Sequence, residues 1–580
     1  MTKSLHALIA TACIAGGAFC SYAQPTEPVF QWGNLLTGMV GQDQTRGIAT
    51  YGTDAVYWMA HNGSANGDLD VTYGGTLLYN GAEYEGTSAN KNLTILKTNA
   101  AGEEQWVIHS EAGDFITNEG SVAVNKDGNL VIFGAVRHTD LKYENGINII
   151  DAKGNKTELG WNVGDRRNVR LFLATATPEG EILWARSYDV STAPAPKADG
   201  TRADFTADAV NAYALALDAE NNIYIGGRYR NPLYFPKANG ETVTLNPKNV
   251  STWNGDAQQT TGDLYVVKLD AEGNYLAHLE ETGDEVGVTY TWDLAEKDGY
   301  IYLSAYAKGE GTIKLGGVSL TSNQYVCPIV AKLDKDLKPE WAELLPGGAV
   351  GGKNAVQSVG MTVSKSNIWL AGMYNGTISS PSNEADLVQS TQGNIREGFI
   401  IKLDAADGSW LGAANSRSEF NQNYLTGYLR VIDEDATQNN EIMVYGYAMN
   451  ATVGIFLRSY NAETLVGEPD KSWSVITGGG VPTAIDIAYV PELATAYMTV
   501  RGNKAFTPMG GEASEAISGY TNYLSRFDLP APIQTSQVNI EEETSEAVYY
   551  NLQGLRVDEP TAPGLYIRRQ GAKTEKILVK

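Results

Sequence analysis

Four aspartates stand in Gly-rich loops between apolar runs, Asp43, Asp114, Asp284 and Asp486, with Glu419 nearby. Carboxyls brought from several loops to one place could bind a cation or act as an acid/base pair on a glycosidic bond. The structural reading is that each caps its own turn by accepting hydrogen bonds from backbone amides. A second set is aromatic: Tyr73, Tyr79, Tyr84, Trp161, Tyr234 and Trp253, scattered among Asn, Gly and Asp. Such rings either stack on sugar faces or pack inserted sequence onto the body beneath it. Trp161, Trp253, Tyr234, Asp114 and Asp284 form the candidate ligand-binding set.

Other chemistry finds little support. Gly347 to Asn354 reads GGAVGGKN, which lacks the closing Ser/Thr of a P-loop and precedes a strand-like run where a helix is needed. No G-x-S-x-G occurs. His61, His109, His138 and His278 show no metal-ligand spacing, so no metal and no catalytic residue are assigned. A formal net charge of −25 repels phosphate backbones and anionic lipid, which excludes nucleic acid as a partner.

The elements that must carry these residues repeat. An apolar run ending at a basic slot recurs seven times: LTILKT (Lys97), LFLATA (Ala174 in the slot), LYVVKL (Lys268), IVAKLD (Lys332), FIIKLD (Lys402), IFLRSY (Arg458) and NYLSRF (Arg526). Between these lies a second recurring hairpin, for example VAVNKDGNLVIFG from Val122 and DLAEKDGYIYLSA from Asp293. Period-2 apolar stretches joined by Asp-Gly or Asn-Asn turns read as tight hairpins. After most slots a turn leads to a strand with Trp, as from Gly102 to Trp106 and from Gly180 to Trp184. Each unit is then four strands, A to D, and seven stacked radially bury both faces. The predicted fold is all-β, a seven-bladed β-propeller. Its last unit ends at Phe527 without a D strand, and PVFQWGNLL from Pro28 matches that strand type. The N-terminal strand is therefore expected to close the ring and remove an open edge.

Strand order places the A-B and C-D turns on one side and the B-C and D-A connections on the other. The inserted sequence, His61 to Asn92, Arg137 to Arg170, Arg230 to Gly262 and Asp189 to Asp208, belongs to the second class. That face is expected to be built up by blades one to three and to carry any binding site.

The ends of the chain read differently. Lys3, the apolar run Leu5 to Phe19 and Ser21-Tyr22-Ala23 make residues 1–23 a signal peptide, whose loss takes the charge from −25 to −26. Cys13 and Cys20 leave with it, so Cys327 has no intrachain partner. No later stretch is long and apolar enough to span a membrane. Residues 24–530 are the propeller, 531–546 a linker, and 547–580 a small β tail with turns at Gly554 and Pro563-Gly564.

Lys268-Leu-Asp-Ala-Glu-Gly-Asn-Tyr, the loop at Gly283 and Asp298-Gly-Tyr-Ile-Tyr resemble the secreted bacterial β-propeller repeats of Bacteroidetes type. The tail, with YNLQG, GLYI and KILVK, is similar to a truncated type IX secretion sorting domain. The Gly-x-x-x-Trp turn at Gly102 and Gly180 is similar to turns of quinoprotein propellers, where Trp docks neighbouring blades. That is a packing motif, and no cofactor is expected from it. The resemblance implies an exported, monomeric, cell-surface or extracellular protein, with the periplasm as the other compartment. The leading expectation is a non-enzymatic module that binds a glycan or protein on the built-up face. The alternatives are a carbohydrate-active enzyme using D-A loop carboxylates, and a structural surface protein.

Overall fold

Asx turns shape the chain before any sheet does. Asn125, Asp218 and Asp270 each accept backbone N–H bonds from residues two and four further on, so each Asp/Asn-x-x-Gly or Asn turn is fastened by its own first residue. The runs between these turns are buried along nearly their whole length, as in Val169–Ala176 and Asp263–Leu269, which suits strands covered on both faces.

The computed structural model describes residues 26–530 except 39–43, 63–75, 80–81, 86–91, 112–113, 116–119, 138–146, 160–168, 191–209, 250–261, 285, 353, 392–395, 417–425, 439, 449–453, 481–482 and 516–520, and beyond 530 residues 548–551, 556–557, 560, 562–570 and 573–579. The chain divides into two compact units, Met1–Pro530 and Ala531–Lys580. The second contains four antiparallel strands, Val548–Tyr550, Arg556–Val557, Gly564–Gln570 and Lys573–Val579. No helix among the described residues is long and apolar enough to cross a membrane.

The first unit is an all-β protein of β-propeller type. Its described residues contain seven antiparallel sheets, each built on a four-strand meander. In chain order their first strands are Gln44–Tyr51, Ser121–Val124, Val210–Leu217, Val288–Lys297, Ala355–Val363, Thr426–Ile432 and Thr483–Val490. Each first strand lies against the first strand of the next sheet, and the seventh lies against the first. The seventh meander takes its outer strand from the opposite end of the chain, where Val29–Gly38 pairs with Thr521–Asp528 from Val29↔Asp528 to Leu36↔Asn522.

Neighbouring sheets dock through an indole on a glycine. The Trp32, Trp106 and Trp184 indole N–H groups donate to Ala100, Pro178 and Ala271 carbonyls in the next sheet's turn, at 2.9, 2.9 and 3.0 Å. The same turns hold Gly102, Gly180 and Gly273 at φ +78°, +83° and +78°, where an added Cβ would stand 2.8–2.9 Å from the indole ring. Basic-slot side chains join the same contact. Lys97 and Trp106 share Pro178 O, while Arg526 and Trp32 share Ala100 O. Lys268 and Lys402 reach Lys335 O and Ala462 O in the same way.

Much of the inserted sequence expected to build up one face lies outside the described residues. The described parts include small hairpins that extend the outer edge of the preceding sheet. Thr76–Tyr79 with Ala82–Glu85 pairs onto Val29–Gly38, and Asn148–Ile150 with Lys156–Glu158 onto Glu104–Glu111. Leu233–Pro236 bridges to Val190 just after the second sheet's outer strand. Gly311–Leu315 with Val318–Ser322 pairs with Glu281–Gly283, and Thr377–Ser379 with Leu387–Gln389 pairs with Gly347–Gly348. Edge covering removes strand groups that would otherwise template intermolecular pairing.

The dock predicts its own test. Gly180→Val combines a left-handed backbone with a collision against the Ala152 and Trp106 side chains. It is expected to cost about 2–4 kcal/mol, more than Lys97→Met, with chemical denaturation of both variants as the measurement.

Candidate functional site

Six of the seven first strands carry a β-bulge, at Thr45/Gly47, Ala212/Ala214, Thr291/Asp293, Gln357/Gly360, Gly427/Arg430 and Ala484/Asp486. A bulge re-aims the side chain that follows it. In sheets four, six and seven that residue is Asp293, Arg430 and Asp486.

The two aspartates are held alike. Asp293 Oδ1 accepts from the Leu294 amide at 3.0 Å, and Oδ2 from the Met361 amide of sheet five at 3.0 Å. Asp486 Oδ1 accepts from the Ile487 amide at 2.9 Å, and Oδ2 from the Ile48 amide of sheet one at 3.3 Å. Arg430 lies between them, Nη1 3.3 Å from Asp293 Oδ2 and Nε 3.7 Å from Asp486 Oδ1. The first strand of sheet five packs between those of sheets four and six, so the Asp293–Arg430 link spans from one sheet to the next but one. The three side chains keep 23%, 27% and 21% of their surface accessible, so the cluster is mostly covered yet still reached by solvent.

Burial pushes both carboxyls above the usual aspartate range, and Arg430 opposes the shift in each. Asp486 is raised further by the charge of Asp293. One guanidinium serves two acids, so the cluster with both ionised carries a net negative charge. This arrangement favours a proton on one of the pair.

Four half-buried or buried rings adjoin Asp293 along the third and fourth sheets. Trp292, in the bulge, stacks on Tyr213 at 5.3 Å and 14°. Tyr213 also meets Tyr290 at 4.8 Å, and Tyr290 stacks on its cross-strand partner Tyr306 at 5.3 Å. The Arg228 guanidinium lies 5.2 Å over the Tyr290 ring, fixed by its Nε bond to Asn211.

Of the sequence-predicted acids whose side chains are described, Asp486 belongs to this cluster and Asp284 does not. Asp284 is exposed, and its Oδ2 accepts from the Thr312 amide of the strand Gly311–Leu315 at 2.8 Å. Asp114 is placed by its strand pairing with Arg137, and its side chain lies outside the described residues. Tyr234 is half-buried in the strand Leu233–Pro236, whose amide at Tyr234 donates to Asp189 O. Trp161, Trp253, Asp43 and Glu419 lie outside the described residues, so the structure does not bring the predicted set together. Asp293 and Arg430 were missed. The available signal was a charge in the middle of an apolar strand, in TWDLA, YLRVI and AIDIA, where an unpaired charge would be costly. Among the described residues no group of His, Cys, Asp and Glu is placed to hold a metal ion.

No family model and no curated protein matches the chain. Solved structures do. The structure of the Dos1 propeller is similar at 9% identity and TM-score 0.34, over 86% of this chain and 95% of that one. The polysaccharide lyase Uly1 is similar at 9% identity and TM-score 0.35, over 83% and 90%. The xylan beta-1,4-xylosidase of Bacillus halodurans is similar at 10% identity and TM-score 0.26, over 88% and 97%. The expectation of a non-enzymatic binding module is corrected here, because the similar propellers are mostly carbohydrate-active enzymes. At such identities the likeness bears on the fold alone, so the acting residues must come from this chain's own geometry.

Arg430→Met leaves two carboxyls facing each other without a cation. The variant is expected to lose about 2–4 kcal/mol at pH 7. Because burial already raises both acids, protonation relieves the loss as pH falls toward 4. Denaturant melts of wild type and variant at pH 4, 5.5 and 7 measure it, and the gap should narrow with acid.

Proposed function

We propose that the first unit is a closed seven-bladed propeller, exported behind the signal peptide 1–23, and that it is a carbohydrate-active enzyme working at the axial cluster. The observation that carries the reading is the pair Asp293 and Asp486 facing one guanidinium. The two carboxyls approach that one guanidinium from separate nitrogens, at 3.3 and 3.7 Å, and carboxyls paired across a gap of roughly 5–10 Å are the groups that cleave glycosidic bonds.

The geometry ranks the two roles. Arg430 lies nearer to Asp293, which keeps that carboxylate ionised as the base. Asp486, farther from the cation and raised by its neighbour's charge, holds the proton and is the acid. In hydrolysis Asp486 gives its proton to the departing glycosidic oxygen. Asp293 takes a proton from the attacking water, whose oxygen forms the new bond at the anomeric carbon. Trp292 and Tyr213 offer the aromatic surface on which a sugar ring stacks. The net charge of −25 across the chain favours a neutral glycan over a polyanionic one. The tail 547–580, joined by a linker at 531–546, is read as the sorting element of a Bacteroidetes-type surface protein.

The test is product release from a panel of neutral and acidic polysaccharides by residues 24–580. Asp486→Asn and Asp293→Asn are each expected to lower kcat by about 10²-fold or more, with the melting temperature little changed. A folded protein that cleaves nothing on the panel, or variants as active as wild type, would sink the reading.

A further inference from the structure

A second charged cluster lies in the third sheet, and the glycan-cleaving reading does not use it. Glu281 is almost wholly buried, with 3% of its side chain exposed. Its Oε2 accepts from the Thr289 hydroxyl at 2.8 Å and the Leu264 amide at 3.2 Å. Its Oε1 is 3.1 Å from Lys248 Nζ, and that ammonium also donates to the carbonyls of Thr282 and Asp284, at 3.1 and 3.0 Å. Asp263, buried beside them, accepts from the Lys248 amide, the Asn249 amide and the Asn249 side chain. Asn249 in turn accepts from the Gly287 amide at 3.2 Å.

Glu281 thus pairs with the Lys248 ammonium while Asp263 holds the backbone of the same residue, two carboxyls beside one cation in a largely buried site. We propose that Glu281, Asp263 and Lys248 form a proton-operated clasp, which fastens the chain at Lys248–Asn249 to the third sheet in mild acid and loosens as the solvent approaches neutrality. With Glu281 protonated the clasp is neutral, Asp263 balancing Lys248. With Glu281 ionised it holds an excess negative charge away from water.

Among the described residues, Lys248 is the cation that acts on Glu281. Tyr229, at the end of the second strand, is a phenol whose own ionisation is suppressed by burial and by Asp263 and Glu281. Glu280 and Asp284 are exposed neighbours on the same stretch, and Lys314, opposite Thr282 on the adjoining strand, points to solvent. Arg228 and Arg230 flank Gly262, where Arg228 is bound to Asn211. His278 nearby is held down by burial.

Burial and the Asp263 charge push Glu281 up to about 7 from 4.5. An acid raised on closing binds its proton more tightly in the closed state. Closure is then strongest below about pH 4.5, weakens through pH 7 and levels off above it.

Amide hydrogen exchange of the full chain across pH 5–8, corrected for intrinsic rates, tests this. Peptides covering 246–249, 262–269 and 281–290 are the readout. Their opening constants should rise about tenfold or more between pH 5 and 7.5 and then flatten. Glu281→Gln should abolish that rise while leaving peptides of the sixth sheet unchanged. Lys248→Met should move the transition to higher pH, because the ion that lowers Glu281 is gone. A flat wild-type profile overturns the proposal, as does a rise that persists in Glu281→Gln or a Lys248→Met midpoint that stays put.

Discussion

An indole laid across a glycine turn sets the geometry of the first unit. Four groups meet there: the ring, a left-handed glycine, a carbonyl and, at two of the docks, a basic side chain that shares this acceptor with the indole N–H. Hydrophobic cover and a satisfied carbonyl are provided by one contact, so neither stands alone in the interface. Trp32 does for the seventh sheet what Trp106 does for the first, although it comes from the opposite end of the chain. The N-terminal strand has inherited the whole outer-strand role, including its contact with the next sheet.

With the sheets fixed by their outer docks, the first strands are left to define the interior. Bulges turn Asp293, Arg430 and Asp486 inward from equivalent positions, and each aspartate also accepts an amide from the following sheet. Structure and chemistry are joined at these residues. The backbone bonds that hold the carboxyls still also prevent them from turning away from Arg430, so the charges are positioned before any ligand arrives. Aromatic rings from the third and fourth sheets add a flat apolar wall beside the charge.

Local chemistry was legible in the sequence, and tertiary convergence was not. Period-2 runs, the turn residues and the Gly-x-x-x-Trp spacing each encode a short-range geometry, and they led to an all-β propeller-type fold. The basic slot was visible as a recurrence at Lys97, Lys268, Lys402 and Arg526, but its partner is a carbonyl of the next repeat, which no spacing within one repeat reveals. The insertions read as loop-like by composition. Their described hairpins pair with strands dozens of residues away, and composition does not specify that. Asp293 and Arg430 escaped notice for the same reason. They are separated by more than a hundred residues, and only the packing of sheets four, five and six on one another brings them to 3.3 Å.

Pairing of Val29–Gly38 with Thr521–Asp528 has a kinetic consequence. The last meander needs residues from both ends of the unit, so it cannot be completed while the chain is still emerging. Earlier meanders form from local hairpins and can accumulate one by one. The closing step brings together segments nearly five hundred residues apart, a loop-closure cost that local contacts do not offset in advance. Until then the strand at Val29 and the edge at Thr521 both remain open to other chains. The seventh meander is thus the last that the chain can complete, and exposure to misassembly is greatest just before Val29–Gly38 and Thr521–Asp528 meet.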